Sequence, residues 1–301
     1  MIKNSLPNLK QLPYGGAAAV LDPEVISVIQ SWSQDTDVQQ VLADIDINQM
    51  FLHQYREWIT ASRANRVNLT GFPISAFSNG TSESFDKFYL RNSQRRFRCF
   101  RGEYMYHAAA WRNYFPDWRW LDDDGIDAGD AVVISLPFSD TGNEHIMMRE
   151  ILDCCELLGV PVLIDCAFFG ICRDIQFNFD YNCITDVTFS LSKTFPVAHA
   201  RIGMRLTRID DDDSLLVHHK TNYTNRVGAH LGLHLLKMFD ADYNIAKWHS
   251  TQLAFCQQLH LVPSSTVIFG VANDRLHEYN RGGPTNRLCF ARYLPAGILP
   301  A

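Results

Sequence analysis

The chain has 301 residues, of which 47% are hydrophobic and 20% are charged, and its formal net charge is −6. This composition is typical of a folded globular protein with one large domain and a smaller one, and it excludes wholesale disorder. The negative charge argues against a surface for nucleic acid or for an anionic membrane. Because no stretch approaches the roughly 20 apolar residues of a membrane helix, and the N-terminus has no signal-peptide pattern, we expect a cytoplasmic protein.

Residues that often bind metal ions are present, but their spacing does not indicate a metal site. The eight cysteines are scattered without paired C-x-x-C spacing, so free thiols in a reducing compartment explain them most simply. His230 and His234 lie one helical turn apart, but no glutamate accompanies them as in H-E-x-x-H. The aspartates at 210–213 are consecutive, whereas a calcium loop needs spaced ligands. We therefore predict no bound metal.

The first 20 residues are rich in Pro and Gly, which predicts an extended arm. Within it, Gly15 and Gly16 form either a simple turn or a segment that approaches a ligand. The pattern becomes helical at Asp22, which we expect to cap a helix that begins with proline. A second helix is predicted from about residue 47 to 62, where apolar residues recur at helical spacing.

The hydrophobic period changes near residue 74. A short strand over 74–77 is followed by a turn at Asn79 and Gly80, and then by a helix that begins at Thr81 or Ser82. The free N–H groups and the positive dipole end of such a helix can bind a phosphate. The alternative is an ordinary turn between a strand and a helix.

Aromatic and polar residues follow the next strands. Tyr104 and Tyr106 are candidates for stacking on a planar ligand, although a buried structural tyrosine explains either of them nearly as well. The continuous apolar run from 131 to 136 predicts a fully buried strand, which leads into a polar loop containing Ser139. After a helix predicted over 144–158, a second apolar strand ends at Asp165. A carboxylate there is costly unless it is paired, and it either meets a ligand or caps the following loop.

The stretch from Ser190 to Arg205 carries the clearest chemistry. Apolar residues end in a polar turn that presents Lys193, and Arg201 follows eight residues later. Partial desolvation and a nearby cation lower the pKa of a lysine toward the neutral amine, which is the form that attacks a carbonyl carbon. Ser190, Ser192 and Arg201 would donate hydrogen bonds to a phosphate. The alternative is a surface lysine in a loop.

Together these motifs resemble those of the class I/II aminotransferases, which are pyridoxal-phosphate (PLP) enzymes of fold type I. The stretch resembles the family's lysine motif S-x-S-K-[ST]-F…R-x-G. The residues that match in order are Ser190, Ser192, Lys193, Thr194, Phe195, Arg201, Ile202 and Gly203. The resemblance spans nearly all of the chain but is strong only at 77–82, 163–168 and 188–205. The chain is shorter than most members, chiefly after Lys193, so the small domain would be abbreviated.

The resemblance implies a role for each motif in binding the cofactor. Lys193 would hold PLP as a Schiff base and then act as general base, and Asp165 would keep the pyridine nitrogen protonated. Tyr104 would stack on the ring, with Tyr106 as the alternate. The groups implied for the phosphate are Gly80, Thr81, Ser82, Ser190, Ser192 and Arg201.

The resemblance also implies the residues that contact the substrate. The chain departs from the family pattern at two positions. Arg287, with Arg292 as the alternate, matches the arginine that binds the substrate α-carboxylate. Gly15 lies in an arm that, in the family, crosses to the partner subunit and lines the site. Ser139 and Phe168 stand where the family has an asparagine and a tyrosine that hydrogen-bond the cofactor's O3′ oxygen.

Helical patterns alternate with short apolar strands from about 70 to 207, which favours a mostly parallel sheet flanked by helices. We therefore expect an α/β three-layer sandwich plus a smaller, abbreviated α+β domain. The predicted divisions are an N-terminal arm with helices belonging to the small domain (1–65), a PLP-binding domain (66–215), and a connecting helix with the rest of the small domain (216–301).

The resemblance implies an enzyme that acts on an amino acid, most simply an aminotransferase that also uses a 2-oxo acid and works as a homodimer. The alternative is a PLP-dependent lyase, decarboxylase, racemase or oxidase on the same fold. A third hypothesis is a protein of this fold that has lost catalysis and serves in binding or regulation. The retention of Lys193, Asp165 and Arg201 together argues against the third.

Overall fold

A computed structural model describes residues 16–107 and 114–299 of the chain. The helices in these ranges are α1 (Pro23–Asp35), α2 (Val38–Ala43), α3 (Ile47–Thr60), α4 (Thr81–Arg91), α5 (Met148–Leu158), α6 (Ser214–Lys220), α7 (Arg226–Met238) and α8 (Tyr243–Leu259). The strands are β1 (Arg66–Asn68), β2 (Ile74–Ser78), β3 (Arg96–Cys99), β4 (Asp117–Trp120), β5 (Asp130–Ser135), β6 (Val162–Cys166), β7 (Gln176–Asn178), β8 (Ile184–Ser190), β9 (Gly203–Thr207), β10 (Val262–Pro263), β11 (Phe269–Ala272) and β12 (Asn286–Cys289).

Within the described ranges, the central sheet has the strand order β2-β9-β8-β6-β5-β3-β4. The neighbours from β4 to β8 pair in parallel, and β9 runs antiparallel to both β8 and β2. Parallel strands require crossover connections, which here include the helices α4 and α5. The predicted mostly parallel sheet is confirmed.

The residues of β5 alternate between two cores on opposite faces of the sheet. Val132 and Ile134 pack in the main core with α3 and α7, whereas Ala131 and Val133 pack in a second core with α4. A strand covered on both faces is apolar throughout, which explains why its sequence is a continuous apolar run. The sheet therefore forms the middle layer of a three-layer sandwich, as the alternation of helices and strands predicts.

A smaller sheet, β10-β11-β12, is antiparallel and packs with α8 around its own core. Phe255 on this helix meets Phe290, which directly follows β12, with ring centroids 5.5 Å apart. This small α+β unit follows the large sheet in the chain, and it supplies β12 and the loop before it to the site described below. The predicted smaller α+β part is confirmed.

The N-terminal helices contribute to the main core. Asp22 caps α1 by accepting a hydrogen bond from the N–H of Glu24 at 3.0 Å, with Pro23 first in the helix, as predicted. Phe51 and Trp58 on α3 are buried in the main core with residues of α7. The short helix α2 was not evident from the hydrophobic pattern. The division at residues 65 and 215 stays a prediction.

The eight cysteines all lie in the described ranges and are free thiols, as expected. Trp32 Nε1 donates to His230 Nδ1 at 2.9 Å, so this histidine serves the contact between α1 and α7. Residues 16–107 and 114–299 contain no group of three or more His, Cys, Asp or Glu side chains that could hold a metal ion. In the same part of the chain, no helix has the length and apolar character needed to cross a membrane.

A buried ion pair ties β3 to β5. Arg98 on β3 is fully buried and donates to Asp130 Oδ2 at 2.6 Å, while Arg96 donates to Asp130 Oδ1 at 2.6 Å. Burial opposes ionisation of Asp130, but hydrogen bonds from Arg96, from the backbone N–H of Asp127 and from Arg98 outweigh it and lower the pKa of this carboxyl. The pair therefore holds the two strands together as long as Asp130 is ionised.

We predict that Asp130→Asn lowers the free energy of unfolding by about 1.5–3 kcal/mol at pH 7, because it removes the charge-assisted hydrogen bonds from Arg96 and Arg98 and leaves the buried Arg98 with Asp124 as its remaining carboxylate partner. Since the folded pKa is lowered, this stabilisation is present above the unfolded pKa of about 3.9 and is lost as pH falls through the folded value. Urea unfolding at pH 7 and pH 3 measures both effects. The exposed Asp35→Asn is the control, and a loss below about 1 kcal/mol for Asp130→Asn would contradict the assignment.

Candidate active site

The candidate site lies at the carboxyl edge of the parallel strands. Ser135 at the end of β5 pairs in register with Asp165 near the end of β6, and the turn after β8 presents Lys193 beside them. A pocket of about 310 Å³ opens at this edge. The predicted site residues that line it are Thr81, Ser82, Tyr104, Ser139, Asp165, Phe168, Ser192, Lys193, Arg201 and Arg287. The structure thus brings most of the predicted residues together.

The remaining predicted residues are Gly80, Ser190 and Gly15. Gly80 is directly before α4 and is packed against the Arg201 guanidinium. Ser190 is buried outside the lining, and its Oγ lies 3.2 Å from the carbonyl oxygen of Ile202 and 2.9 Å from Ser192 Oγ. Ser190 therefore supports the turn, and its predicted phosphate contact stays a prediction. Gly15 lies outside the described residues.

The start of α4 and Arg201 place several hydrogen-bond donors at one end of the pocket. No side chain caps α4, so its first N–H groups have no side-chain capping partner. Arg201 Nη2 donates to the carbonyl oxygen of Asn79 and to Ser82 Oγ, each at 2.9 Å. Gly80 has φ 77°, and a Cβ there would lie 2.3 Å from Arg201 Nη2. The glycine therefore keeps this cradle open, and the donors fit a phosphate dianion.

Lys193 is half-buried in the pocket and its Nζ donates to the carbonyl oxygen of Ala17 at 2.9 Å. Burial lowers the pKa of Lys193, and the positive charges of Arg287 and Arg201 lower it further. These are the desolvation and the neighbouring cations expected from the sequence. Lys193 is therefore suited to present a neutral amine to a carbonyl carbon.

Asp165 caps the following loop and also lies at the pocket. Its side chain is nearly buried, and Oδ1 accepts a hydrogen bond from the N–H of Ala167 at 3.0 Å, which caps the following loop. It also lines the pocket, and its contact with a ligand stays a prediction. His107 was not among the predicted residues, yet its Nε2 lies 3.6 Å from Asp165 Oδ2 and its Nδ1 lies 2.5 Å from Tyr89 Oη.

Glu103 is a second buried carboxyl group that sequence reasoning did not assign a role. Its Oε1 accepts a hydrogen bond from the N–H of Ser135 at 2.7 Å, and Oε2 accepts one from Ser135 Oγ at 2.5 Å. Burial raises the pKa of Glu103. Ser135 is the register partner of Asp165. Glu103 therefore fixes the end of β5 beside the strand that carries Asp165.

Arg287 on β12 is fully buried, and its guanidinium lies over the ring of Phe269, 3.9 Å from the centroid. It also donates to the carbonyl oxygen of Ser139. Burial, with the nearby charge of Arg281, lowers the pKa of Arg287 to about 9, so the group remains a cation at neutral pH. Arg292 is exposed, which favours Arg287 as the carboxylate-binding group.

The aromatic residues of the pocket are distinguished by their contacts. Tyr104 is 41% exposed and lines the pocket, whereas Tyr106 turns its hydroxyl to donate to Asp86 Oδ1 at 2.9 Å. Phe168 packs edge-on against Phe269, with centroids 5.4 Å apart, and has no hydroxyl to donate into the pocket. Tyr104 is thus the better candidate for stacking on a planar ligand.

Solved structures of aminotransferases share this fold. The aromatic aminotransferase from Pyrococcus horikoshii is 11% identical over 96% of this chain and 92% of its own, with a TM-score of 0.65. The histidinol-phosphate aminotransferase from Clostridium acetobutylicum is 14% identical over 95% of this chain and 98% of its own, with a TM-score of 0.62. The structure of MppP soaked with the product 2-ketoarginine is 14% identical over 95% and 97%, with a TM-score of 0.64.

No protein-family model and no curated protein matches this sequence. The likeness to the solved structures therefore rests on the arrangement of the chain, which extends over nearly its whole length. It establishes that the chain has the fold of these aminotransferases, as the motifs around Asp165 and Lys193 led us to expect.

The lowered pKa of Lys193 leads to a prediction for the cofactor-free protein. Brief acetylation over a range of pH, read by mass spectrometry, should give Lys193 a half-maximal reactivity at lower pH than the exposed Lys237, because only the neutral amine reacts. Arg201→Gln should move the midpoint of Lys193 upward, since it removes one of the cations that lower this pKa. A midpoint for Lys193 at or above that of Lys237 would contradict the environment described here.

Proposed function

We propose that this protein is a PLP-dependent enzyme that acts on an amino acid, most simply an aminotransferase. The observation that carries the proposal is the convergence of four groups on one pocket: a lysine amine, a nearly buried carboxylate, a helix N-terminus with an arginine, and a buried arginine. In chain order the side chains are Asp165, Lys193, Arg201 and Arg287. Each of them matches the chemistry of one part of PLP or of an amino acid.

The residues present fit the cofactor. The donors at the start of α4 and Arg201 suit its phosphate, and Asp165 suits a protonated ring nitrogen. Tyr104 offers a ring for stacking, and Lys193 Nζ offers the amine that bonds to the aldehyde carbon. When bound, PLP supplies an electron sink for the negative charge that develops at the substrate Cα.

The chain's own residues then orient the substrate and move a proton. The Arg287 guanidinium binds the substrate α-carboxylate, which fixes the Cα atom near Lys193. The free amine of Lys193 would take the proton from the substrate Cα as general base. The low polarity around the buried side of the pocket strengthens each of these charge interactions. Transfer of the amino group to a 2-oxo acid completes the reaction.

A lyase, decarboxylase, racemase or oxidase using the same residues is the second candidate. One observation favours it: Phe168 and Ser139 line the pocket where the resembled family has hydrogen-bonding tyrosine and asparagine side chains. Fewer hydrogen-bond donors to the ring oxygen would change how strongly the bound cofactor withdraws electrons from the substrate. The two candidates differ in their products, because only transamination passes the amino group of the substrate to a 2-oxo acid.

We further propose that the protein works in the cytoplasm as a homodimer, which is the arrangement that the resemblance implies. Size-exclusion chromatography with light scattering measures the assembly. A monomeric holoenzyme with full activity would contradict the proposed dimer without affecting the assignment of Lys193.

We predict that protein saturated with PLP is yellow and that borohydride reduction leaves the pyridoxyl group on Lys193. Mass spectrometry of the digested protein identifies the modified lysine. Lys193→Ala should retain PLP through the phosphate contacts but lose turnover, because both the covalent attachment and the general base are gone. Lys237→Ala, an exposed position, is the control. A pyridoxyl group on another lysine, or on none, would refute the central assignment.

The two arginines should separate cofactor binding from substrate binding. Arg201→Ala is expected to weaken PLP binding about tenfold or more, because charge-assisted hydrogen bonds contribute about 1.5–3 kcal/mol each. Arg287→Ala should leave PLP affinity unchanged and weaken amino-acid binding instead. Fluorescence titration with PLP and absorbance titration with the amino acid measure the two affinities.

Pyridoxal, which lacks the phosphate, provides the matched control for this pair. Its affinity should fall much less than that of PLP in Arg201→Ala, because pyridoxal loses only the effect of Arg201 on the pKa of Lys193. If Arg201→Ala weakens pyridoxal and PLP equally, Arg201 stabilises the pocket as a whole rather than the phosphate.

A further inference from the structure

The loop that follows β5 carries a pocket residue and a buried carboxyl group side by side. It spans residues 137–143, and the N–H of Gly142 closes it by donating to the carbonyl oxygen of Phe138 at 2.7 Å. Ser139 lines the pocket, and Asp140, which follows it, is fully buried. A buried carboxyl group is costly unless its oxygens are hydrogen-bonded, so the partners of Asp140 indicate its role.

The carboxyl group of Asp140 binds the Arg281 loop (residues 280–285), which leads into β12. Its Oδ2 atom accepts hydrogen bonds from Thr285 Oγ1 at 2.7 Å and from the N–H of Thr285 at 3.2 Å. Its Oδ1 atom is buried and has no hydrogen-bond partner among the described residues. Within the part of the chain that the structure describes, the carboxyl group is therefore directed at Thr285, two positions before Arg287.

Two glycines allow this close approach. A Cβ on Gly283 would lie 2.4 Å from Asp140 Oδ2, and a Cβ on Gly102 would lie 2.8 Å from Asp140 Cβ. Gly102 follows β3 and has φ 86°, a conformation that favours glycine. Asp140 is therefore packed between the turn after β3 and the Arg281 loop, which leaves its carboxyl group little room to move.

The same two segments meet a second time at Arg287. Its guanidinium donates to the carbonyl oxygen of Ser139 and lies over the ring of Phe269. Ser139 directly precedes Asp140, and Thr285 lies two positions before Arg287, so the two contacts join one pair of segments at two points. A displacement of Thr285 would therefore change the direction of the guanidinium relative to the pocket.

The energetics of the contact favour a role in ordering the site. Burial raises the pKa of Asp140, and the hydrogen bonds from Thr285 oppose this effect only in part. Thr285 is half-buried, so water could replace Asp140 as its partner. A costly buried carboxyl group with a replaceable partner is a weak stabiliser of the fold. The contact is better explained by the fixed position that it gives to the segment entering β12.

We propose that Asp140 is a positioning residue for the substrate, because through Thr285 it holds Arg287 in the direction that binds the α-carboxylate. The inference rests on the proposed function, which assigns the α-carboxylate to Arg287. A binding group has to be held within about 0.5 Å of its productive geometry by the residues around it. Asp140 provides that support without contacting the substrate itself.

The first test compares substitutions at Asp140 in the holoenzyme, with L-alanine because its α-carboxylate is its only carboxylate. Asp140→Ala should raise KM about tenfold or more and leave kcat nearly unchanged, since a misplaced Arg287 weakens binding of the substrate. The affinity for PLP should change much less. Asp140→Asn should stay close to the unmodified enzyme, because its amide oxygen can accept both hydrogen bonds from Thr285.

The second test identifies the contact through which Asp140 acts. Thr285→Val removes the hydroxyl donor but keeps the N–H, so it should raise KM less than Asp140→Ala does, and Thr285→Ser should restore the affinity. The double variant Asp140→Ala/Thr285→Val should be no weaker than Asp140→Ala alone, because both changes break the same contact. Thr207→Val is the matched control, since it removes a buried hydroxyl whose partner is the carbonyl oxygen of Thr185.

Three results would overturn the proposal. An unchanged KM in Asp140→Ala would show that Arg287 does not need this support. Additive effects in the double variant would show that Asp140 and Thr285 act separately. An Asp140→Asn enzyme as weak as Asp140→Ala, or an Asp140→Ala enzyme that loses PLP and alanine equally, would show that the charge or the whole pocket matters instead of the contact.

A binding measurement separates this proposal from the proposed function. Calorimetry of the PLP-free protein with butyrate needs no cofactor chemistry, and Asp140→Ala should weaken butyrate binding about tenfold or more. If PLP fails to bind but butyrate binding depends on Asp140 in this way, the proposed function fails and the positioning role stands. If PLP binds to Lys193 but butyrate does not bind, or binds equally well to Asp140→Ala, the positioning role alone is refuted.

Discussion

The strand β6 pairs in parallel with β5 on one side and with β8 on the other. This pairing places the carboxyl ends of the three strands at the same edge of the central sheet. Register then brings Ser135 opposite Asp165, and the turn after β8 delivers Lys193 beside them. The strand interiors are apolar and buried on both faces, so polar groups concentrate where the strands end. Glu103 secures this edge by binding both polar groups of Ser135.

The second constraint is electrostatic. Arg281 and Arg287 share a pocket with Lys193, and their charges add to the desolvation that lowers the pKa of the lysine. The same arrangement serves two purposes in the proposed enzyme, because the cations that favour a neutral amine also attract the anionic cofactor and substrate. The two aminotransferases named above are only 11% and 14% identical to the chain, so the site has to be argued from such contacts.

Some residues of the candidate site could be predicted from the sequence better than others. Asp165 and Lys193 were predictable because each is a charged residue at the end of an apolar run, where an unpaired charge is costly. Gly80 was predictable because a strand, a glycine and a helix start follow each other directly. By contrast, the predicted contact of Ser190 with phosphate depended on the direction of a hydroxyl, which the structure directs toward Ile202 and Ser192.

Local patterns in the sequence by themselves determined the order of strands and helices, their buried faces, and the lysine, the carboxylate and the glycine turn of the pocket. Those features depend on neighbours within a few residues, so periodicity and composition reveal them. Only the tertiary structure decided the contacts of Glu103 and the place of Arg281 in the pocket lining. Glu103 binds a residue 32 positions away, and the Arg281 loop is docked through an Asp140–Thr285 contact that spans 145 positions. Contacts at such separations leave no periodic trace, because they form only when the sheet and the small α+β unit come together.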